Sequence, residues 1–168
     1  IGKRLPSLAL SLFTHTQVLE YLKMISPNMY TKVIKNNDIL ALAITELGAG
    51  TDIKKMETKI ISKNGKRVIK GIKSMVTNGA YADWFLIICK TGENEFASCL
   101  LHKNDGVEIE TILDLLGMRG SGISRITLRE IEIKDEQILD RGKKVLNDLF
   151  YILALGRIFT SSTALGIT

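Results

Sequence analysis

The spacing of apolar positions predicts that the chain begins with helices. Side chains that recur at intervals of three and four would share one helix face, namely Leu8, Leu12, His15, Val18, Leu19 and Leu22. Such spacing is typical of a helix with one buried face. Pro27 follows a break at Ser26 and suits the first turn of a second, short helix that includes Val33 and Ile34.

Short strands with turns between them are predicted from residue 38 to about residue 133. An apolar run at 39–44 leads into a glycine-rich segment, and Asn64-Gly65 is a strong signal for a hairpin turn. The predicted strands cover residues 56–61, 67–72, 83–90, 96–102, 107–112 and 124–133. Several short strands at close intervals predict a β-barrel or a β-sandwich.

Helical spacing returns after residue 142. The positions that would share one face of this helix are Val145, Leu149, Ile152, Leu153, Gly156 and Thr160. A helix with so many apolar side chains normally packs against other helices. Because the chain starts at Ile1 and supplies no further helices, we expect it to be a segment of a longer protein.

Composition is that of an ordinary globular protein, with 45% hydrophobic and 24% charged residues. The net charge of +5 would suit nucleic acid, or a polyanionic cofactor or substrate. The lysines are scattered and form no basic helix, so we do not expect nucleic-acid binding. No signal-peptide pattern opens the chain, and the apolar run at 84–89 is shorter than the ~20 residues that span a bilayer. We therefore expect a cytoplasmic protein with no membrane association.

Cysteine and histidine give no reason to expect a redox or metal centre. Cys89 and Cys99 lie in apolar runs, and their spacing matches no zinc motif, so both are predicted to be small buried residues. His15 lies on the predicted helix face and His102 near a strand end, and these positions favour structural or surface roles. No cluster of histidines, cysteines and carboxylates has the spacing of metal ligands.

Two segments combine hydroxyl groups with glycines. The glycines at 48 and 50 match part of a dinucleotide-binding fingerprint, but the third glycine is missing and a β-rich region follows, which disfavours a Rossmann fold. Thr45 and Thr51 flank these glycines, and Thr77 precedes Asn78-Gly79 at a predicted strand end. The residues alone are compatible with ordinary turns and with loops whose backbone N–H groups approach a ligand.

Four segments, taken in order, resemble the acyl-CoA dehydrogenase family. Residues 43–52 read AITELGAGTD, which is similar to the family pattern A-x-T-E-P-x-A-G-S-D, and residues 70–79 read KGIKSMVTNG, similar to N-G-x-K-x-W-I-T-N-G. Residues 116–121 read LGMRGS, which matches a third family motif. Arg157, with Ala-Leu-Gly at 164–166, resembles the start of the family's first C-terminal helix.

The resemblance implies an α+β fold in which an antiparallel β-barrel middle domain is flanked by parts of two helical domains. By this likeness residues 1–37 would end the N-terminal helical domain, and residues 38–138 would form the middle domain. Residues 139–168 would be the first helix of the C-terminal helical domain. The likeness also implies a homo-oligomer, a dimer or a tetramer, and an electron-transferring flavoprotein as the electron acceptor.

The resemblance implies FAD as cofactor and an acyl-CoA as substrate. The residues that would contact FAD are Leu42, Ile44, Thr45, Gly50, Thr51, Met75, Val76 and Thr77. In the family, the hydroxyl at the position of Thr77 lies near flavin N5. Thr51 would also lie near the acyl-CoA, and Arg157 would help to bind its CoA portion.

The implied reaction is α,β-dehydrogenation of an acyl-CoA thioester, in which a glutamate removes the α-proton. Most members carry that glutamate deep in the C-terminal domain, and the isovaleryl-CoA branch carries it at the position of Gly156. This chain has a base at neither place, so we assign no catalytic residue and no metal ligand.

Two departures mark the chain as divergent. Leu47 replaces the family proline, and Met75 replaces the tryptophan beside the flavin. Two alternatives therefore stay open at this point. One is a flavin-dependent oxidase or monooxygenase on the same scaffold, and the other is a non-catalytic remnant that binds flavin or acyl-CoA.

Overall fold

Over residues 1–50 and 52–168, which it describes, the computed structural model contains three α-helices and one sheet of eight strands. The helices are α1 (Pro6–Ile25), α2 (Pro27–Asn36) and α3 (Lys144–Ile167). The strands are β1 (Leu40–Ala43), β2 (Lys59–Lys63), β3 (Lys66–Val76), β4 (Trp84–Lys90), β5 (Phe96–His102), β6 (Glu108–Thr111), β7 (Ser124–Glu132) and β8 (Ile138–Arg141). The predicted helices and strands are confirmed, and two further strands are present, namely β1, which forms from the apolar run at 39–44, and β8.

The ends of the first two helices follow from the sequence. Pro6 and Pro27 lie in the first turns of α1 and α2, where the missing N–H of proline would have no helical partner in any case. Asn37 ends α2 in the left-handed conformation, with φ of 56°, and its N–H donates to the carbonyls of the last turn. Asparagine tolerates this conformation better than most residues do.

The sheet is mixed and open, so the predicted closed antiparallel barrel is wrong, whereas the α+β class is confirmed. Its strand order is β6-β7-β3-β2-β4-β5-β8, and β1 pairs with β4 outside this path. β1 and β2 both pair with β4 in parallel, and the other pairs are antiparallel. Parallel neighbours need a long connection between them, which the segment between β1 and β4 provides. Periodicity could not predict this arrangement, because it indicates which side chains are buried and not which strands are neighbours.

The central strands β4 and β5 are buried on both faces. On one face Phe85, Ile87 and Leu101 pack against β3 and β7, and on the other face Leu86 and Ile88 pack against the helices. This double burial explains why β4 is almost continuously apolar rather than alternating. Both cysteines are free and buried in the first of these cores, as predicted.

The buried face of α1 differs from the predicted one. Leu8 and Leu12 are nearly half exposed, whereas Gln17 is buried and its Nε2 donates to the carbonyl oxygen of Ile152 on α3 at 2.6 Å. Gly156 of α3 allows this approach, because a Cβ there would lie 2.4 Å from Gln17 Nε2. Helical periodicity treats glutamine as a surface residue and therefore misplaces the contact between α1 and α3.

α3 carries many apolar side chains that the rest of the chain leaves exposed, including Phe150, Tyr151, Ile158 and Leu165. By length and composition alone it could cross a membrane, with a mean hydropathy of 1.4. This differs from the expectation above, which considered only uninterrupted apolar runs. Because core helices of soluble proteins pass the same test, the finding is weak evidence for a membrane span.

Gly71 is predicted to be essential for the shape of β3. Its φ is +150°, the register with β7 shifts beside it, and an added Cβ would lie 2.6 Å from the Cα of Thr58. We expect Gly71→Ala to lower the free energy of unfolding by about 1–3 kcal/mol, as overpacking does elsewhere. Urea denaturation measures this change.

The matched control is Gly92→Ala in the loop between β4 and β5, where an added Cβ has no neighbour closer than 3.5 Å. This variant should stay within about 0.5 kcal/mol of the wild type. Equal stability of the two variants would contradict the close packing described at Gly71.

Candidate functional site

The two segments that the motifs single out lie side by side. The backbone N–H of Ser74 in β3 donates to the carbonyl oxygen of Thr45, just after β1, at 2.7 Å. Residues 42–50 and 73–79 therefore meet, and we call this region the β1–β3 junction. The contact between these two segments is not a strand pairing, because β1 is hydrogen-bonded to β4 rather than to β3.

A buried ion pair between Lys73 and Glu46 links the two segments of the junction. Lys73 has no exposed surface, and its Nζ donates to Glu46 Oε1 at 2.7 Å and to the carbonyl oxygen of Ile44 at 3.0 Å. Glu46, which is 6% exposed, also accepts hydrogen bonds from the backbone N–H groups of Glu57 at 2.6 Å and Thr58 at 3.1 Å. One ammonium and one carboxylate thus tie three stretches of chain together.

The electrostatic environment makes the two partners depend on each other. Burial by itself would raise the pKa of the Glu46 carboxyl, but the hydrogen bonds from Lys73, Thr58 and the Glu57 amide outweigh burial and lower that pKa. Burial lowers the pKa of Lys73, and the Glu46 charge offsets this effect in part. Removal of either partner would leave a buried charge uncompensated, which is strongly destabilising.

A bulge in β3 turns Met75 away from the core. The register between β3 and β7 shifts between Lys73 and Val76, and Met75 takes a φ of 56°. As a result Lys73 and Ser74 are both buried, although they are consecutive, and Met75 is half exposed. A non-glycine residue in the left-handed backbone conformation costs roughly 1–2 kcal/mol, so contacts of the neighbouring residues must stabilise Met75 in it.

The turn after β3 is fixed by Asn78. Its side-chain Nδ2 donates to the carbonyl oxygens of Ser11 at 2.9 Å and Leu40 at 3.1 Å, which lie on α1 and β1. Its backbone N–H donates to the carbonyl oxygen of Ser121 at 3.0 Å. Thr77, which is half-buried, precedes Asn78 in this turn. The turn is therefore hydrogen-bonded to three other segments of the chain.

Most of the residues that were expected to contact the cofactor lie at the junction. Thr45, Gly50 and Met75 are exposed, Leu42, Ile44 and Thr77 are partly buried, and Val76 is buried. Because the Val76 side chain belongs to the core, only its backbone could face a ligand. Thr51 lies outside the described residues.

Arg157, the expected CoA-binding residue, is on a different element. It is exposed on α3, whose main packing partners are α1, β5 and β8. The structure therefore does not bring Arg157 into the β1–β3 junction.

A basic groove of about 800 Å³ adjoins the junction. Gly48 and Ser74 form part of its wall, and its charged lining has four lysines against two glutamates, namely Lys55, Lys59, Lys70, Lys90, Glu46 and Glu57. Nothing lies within 4 Å of the place where a Cβ would stand on Gly48 or Gly50. The groove is therefore open and positively charged, and its glycine backbone is accessible, which are properties that suit a phosphate-bearing ligand.

Gly156, which stands at one expected position of the catalytic base, is buried against α1. An added Cβ there would lie 2.4 Å from the side-chain amide of Gln17 and 3.0 Å from the ring of Phe13. A glutamate at this position would require Gln17 and Phe13 to move. Within residues 1–50 and 52–168, no group of three histidines, cysteines or carboxylates could hold a metal ion. His15 and His102 accept backbone hydrogen bonds from Leu40 and Asn104, which are structural roles.

Sequence reasoning missed the residues that hold the junction in place. Glu46, Lys73 and Ser74 are only letters of the two motifs, and Asn78 is predicted only as part of a turn. β3 carries four cationic side chains, Lys66, Arg67, Lys70 and Lys73, of which only Lys73 is buried, so the sequence alone does not distinguish it. A buried lysine needs an acidic partner, which here is Glu46.

Comparison with known proteins agrees with this architecture. A sequence profile of the acyl-CoA dehydrogenase middle domain matches residues 41–131, more than half of the chain. The probable acyl-CoA dehydrogenase YngJ of Bacillus subtilis (strain 168) is 32% identical over 133 residues, which are 76% of this chain and 35% of that protein. The chain spans about a third of the length of the first curated relatives it matches.

Two solved structures share the fold. Butyryl-CoA dehydrogenase from Megasphaera elsdenii superposes with a TM-score of 0.90 at 20% identity, over 98% of this chain and 46% of that one. The prolyl acyl carrier protein oxidase AnaB superposes with a TM-score of 0.88 at 21% identity, over 99% of this chain and 47% of that one. At these identities the likeness concerns the fold alone.

Acid unfolding should report on the Glu46 carboxylate. Because its folded pKa lies below the ordinary 4.5, the carboxylate contributes stability that is present above pH 4.5 and is lost as the pH falls through the lowered value. The Glu46→Gln variant should be less stable at neutral pH by about 3–5 kcal/mol, since Lys73 then lacks its counter-charge. Below pH 4.5 its stability should fall less steeply than that of the wild type.

Urea denaturation at a series of pH values between 7 and 3 measures both effects. Glu57→Gln is the matched control, because Glu57 is the exposed neighbour whose backbone, and not whose side chain, binds Glu46. It should keep the wild-type slope. If Glu46→Gln also keeps that slope, the carboxylate does not carry the interactions described.

Proposed function

Because this chain belongs to the acyl-CoA dehydrogenase family, we propose that its full-length protein is an FAD enzyme that dehydrogenates an acyl-CoA thioester between its α- and β-carbons. The β1–β3 junction would supply one wall of the flavin site. What supports this proposal most is the hydrogen bond from Ser74 to Thr45, since it brings the two threonine-bearing segments together. FAD, when bound, supplies the acceptor for the hydride that leaves the β-carbon.

The two threonines would act as hydrogen-bond donors to the edge of the flavin ring. Thr45 is exposed and Thr77 is half-buried, so their hydroxyl groups are accessible from the surface of the junction. Reduction adds negative charge to the ring, and donors that are already oriented stabilise this charge without rearrangement. Thr77 would serve flavin N5, and Thr45 the pyrimidine side.

Apolar and backbone groups would hold the rest of the ring. The half-exposed Met75 would lie against it in place of an aromatic side chain, because a thioether is polarizable and adapts to the space. Leu42, Ile44 and the backbone of Val76 would complete this surface. Gly50 and Thr51 would lie towards the pyrophosphate.

The basic groove gives the proposal an electrostatic basis. FAD and CoA both carry phosphate groups, and the four lysines of the groove outnumber its two glutamates, which leaves the groove with a net positive charge. Arg157 would bind the CoA portion from α3, with the planar charge that suits phosphate and amide groups.

The full-length protein must supply the catalytic base from outside this chain. Position 156 is a glycine, which cannot act as a base. We further propose a homo-oligomer, a dimer or a tetramer, and an electron-transferring flavoprotein as the electron acceptor. Both proposals rest on the family alone.

The same fold serves an oxidase, so the architecture does not decide between dehydrogenation and oxygen chemistry. The test is the visible spectrum of the full-length protein without oxygen, before and after acyl-CoAs of several chain lengths are added. We expect a flavin spectrum that bleaches when acyl-CoA is added. A bound flavin that stays oxidised with every acyl-CoA would instead favour an oxidase or monooxygenase.

Substitution of the threonines tests their assigned roles. Thr45→Val and Thr77→Val keep the shape but remove the hydroxyl, so we expect the rate of bleaching to fall roughly tenfold or more in each, as the loss of a useful hydrogen bond predicts. Thr91→Val in the exposed loop after β4 is the matched control and should bleach at the wild-type rate. Wild-type rates in all three variants would contradict the assignment of Thr45 and Thr77 to the flavin.

A further inference from the structure

The buried ammonium of Lys73 binds the chain on both sides of Thr45. It donates to the carbonyl oxygen of Ile44, one residue before, and to the carboxylate of Glu46, one residue after. The carbonyl of Thr45 itself accepts the N–H of Ser74, the residue that follows Lys73. Three consecutive residues are thus anchored to two consecutive residues of β3.

The same strand leads directly to the second proposed flavin contact. Met75 turns outward at the bulge, and Thr77 follows on the turn that Asn78 fixes. Lys73 therefore connects the position of Thr45 to that of Thr77 through a short, hydrogen-bonded stretch of backbone. Neither Lys73 nor Glu46 offers its charged group to the surface, since both residues are buried.

We propose that the Lys73–Glu46 pair is a positioning pair that fixes Thr45 relative to Thr77 and thereby sets the affinity and the reduction potential of the bound flavin. This inference rests on the proposed function, because it concerns the same site. The pair does not touch the ligand, so it acts through the backbone that it holds. In this respect it differs from the threonines, which would donate hydrogen bonds to the flavin themselves.

Stability alone is a poor explanation for such a pair. Two charges that leave water lose their hydration, and neutral replacements of similar volume are often as stable as the pair. The pair lies under a segment of irregular backbone that contains Gly48 and Gly50 and has open space beside both glycines. Such a segment needs an external anchor to hold one conformation.

The test compares two neutralised ion pairs in the full-length protein. The first variant, Lys73→Met/Glu46→Gln, removes both buried charges and keeps one side-chain oxygen, which can still accept one of the two hydrogen bonds from the amides of Glu57 and Thr58. The control, Lys63→Met/Glu130→Gln, makes the same chemical change at the exposed pair between β2 and the end of β7. Each variant is measured for urea unfolding of the apoprotein, for the FAD dissociation constant and for the reduction potential of the bound flavin.

We expect the first variant to fold and yet to bind FAD at least tenfold more weakly than the wild type. Its flavin potential should shift by about 30 mV or more, which for a two-electron couple is a tenfold change in the relative affinity for the oxidised and reduced flavin. The control should match the wild type in both readouts. The proposal would be overturned if FAD binding weakened in both variants in proportion to their loss of stability.

The remaining outcomes also test the role of the Lys73–Glu46 pair. If Lys73→Met/Glu46→Gln folds and keeps the wild-type affinity and potential, the pair serves stability only and the proposal fails. If this variant does not fold, Lys73→Gln/Glu46→Gln is measured, since it removes both charges together and leaves two neutral amides that can hydrogen-bond to each other. Wild-type flavin properties in that second variant would overturn the proposal, and altered ones in a folded protein would support it. A wild-type protein that binds no FAD would instead refute the proposed function itself.

Discussion

The structure of this chain depends on how a lysine with no exposed surface is accommodated between two strands that are not hydrogen-bonded neighbours. Lys73 replaces its lost hydration with a carboxylate and a backbone carbonyl, and Glu46 replaces its own with the ammonium and two backbone amides. Because each partner is costly to bury alone, the pair is stable only when all of these groups meet. The end of β1, the start of the next segment and β3 are therefore fixed together.

The groups that stabilise the junction differ from those that we propose contact the flavin. The groups that hold the junction are buried, as Lys73, Glu46 and Asn78 illustrate, whereas the threonine hydroxyls and the Met75 side chain remain accessible. The bulge at Met75 is what allows two consecutive buried residues to precede an exposed one. The proposed flavin site would require a fixed wall with an accessible surface, because donors must be oriented before charge develops on the ring.

Local pattern predicted the local structure well. Proline at the helix starts, the Asn64-Gly65 turn and the apolar runs of β4 and β5 specified elements that the structure confirms. The parallel pairing of β1 with β4, and hence the open sheet, depends on contacts between distant residues that periodicity does not contain. The motifs directed attention to two segments that the structure brings together at the β1–β3 junction. They did not indicate that Lys73 and Glu46 are buried together, because burial is decided by the packing of β1 on β3.

A crystal structure of the full-length protein with FAD would show directly whether the β1–β3 junction forms a wall of the flavin site. We expect the flavin ring to lie against Met75, with the hydroxyl groups of Thr45 and Thr77 within hydrogen-bonding distance of its edge. The Lys73–Glu46 pair should lie behind this wall, out of contact with the ligand. A flavin bound elsewhere, with Thr45 and Thr77 exposed to solvent, would refute the proposed site.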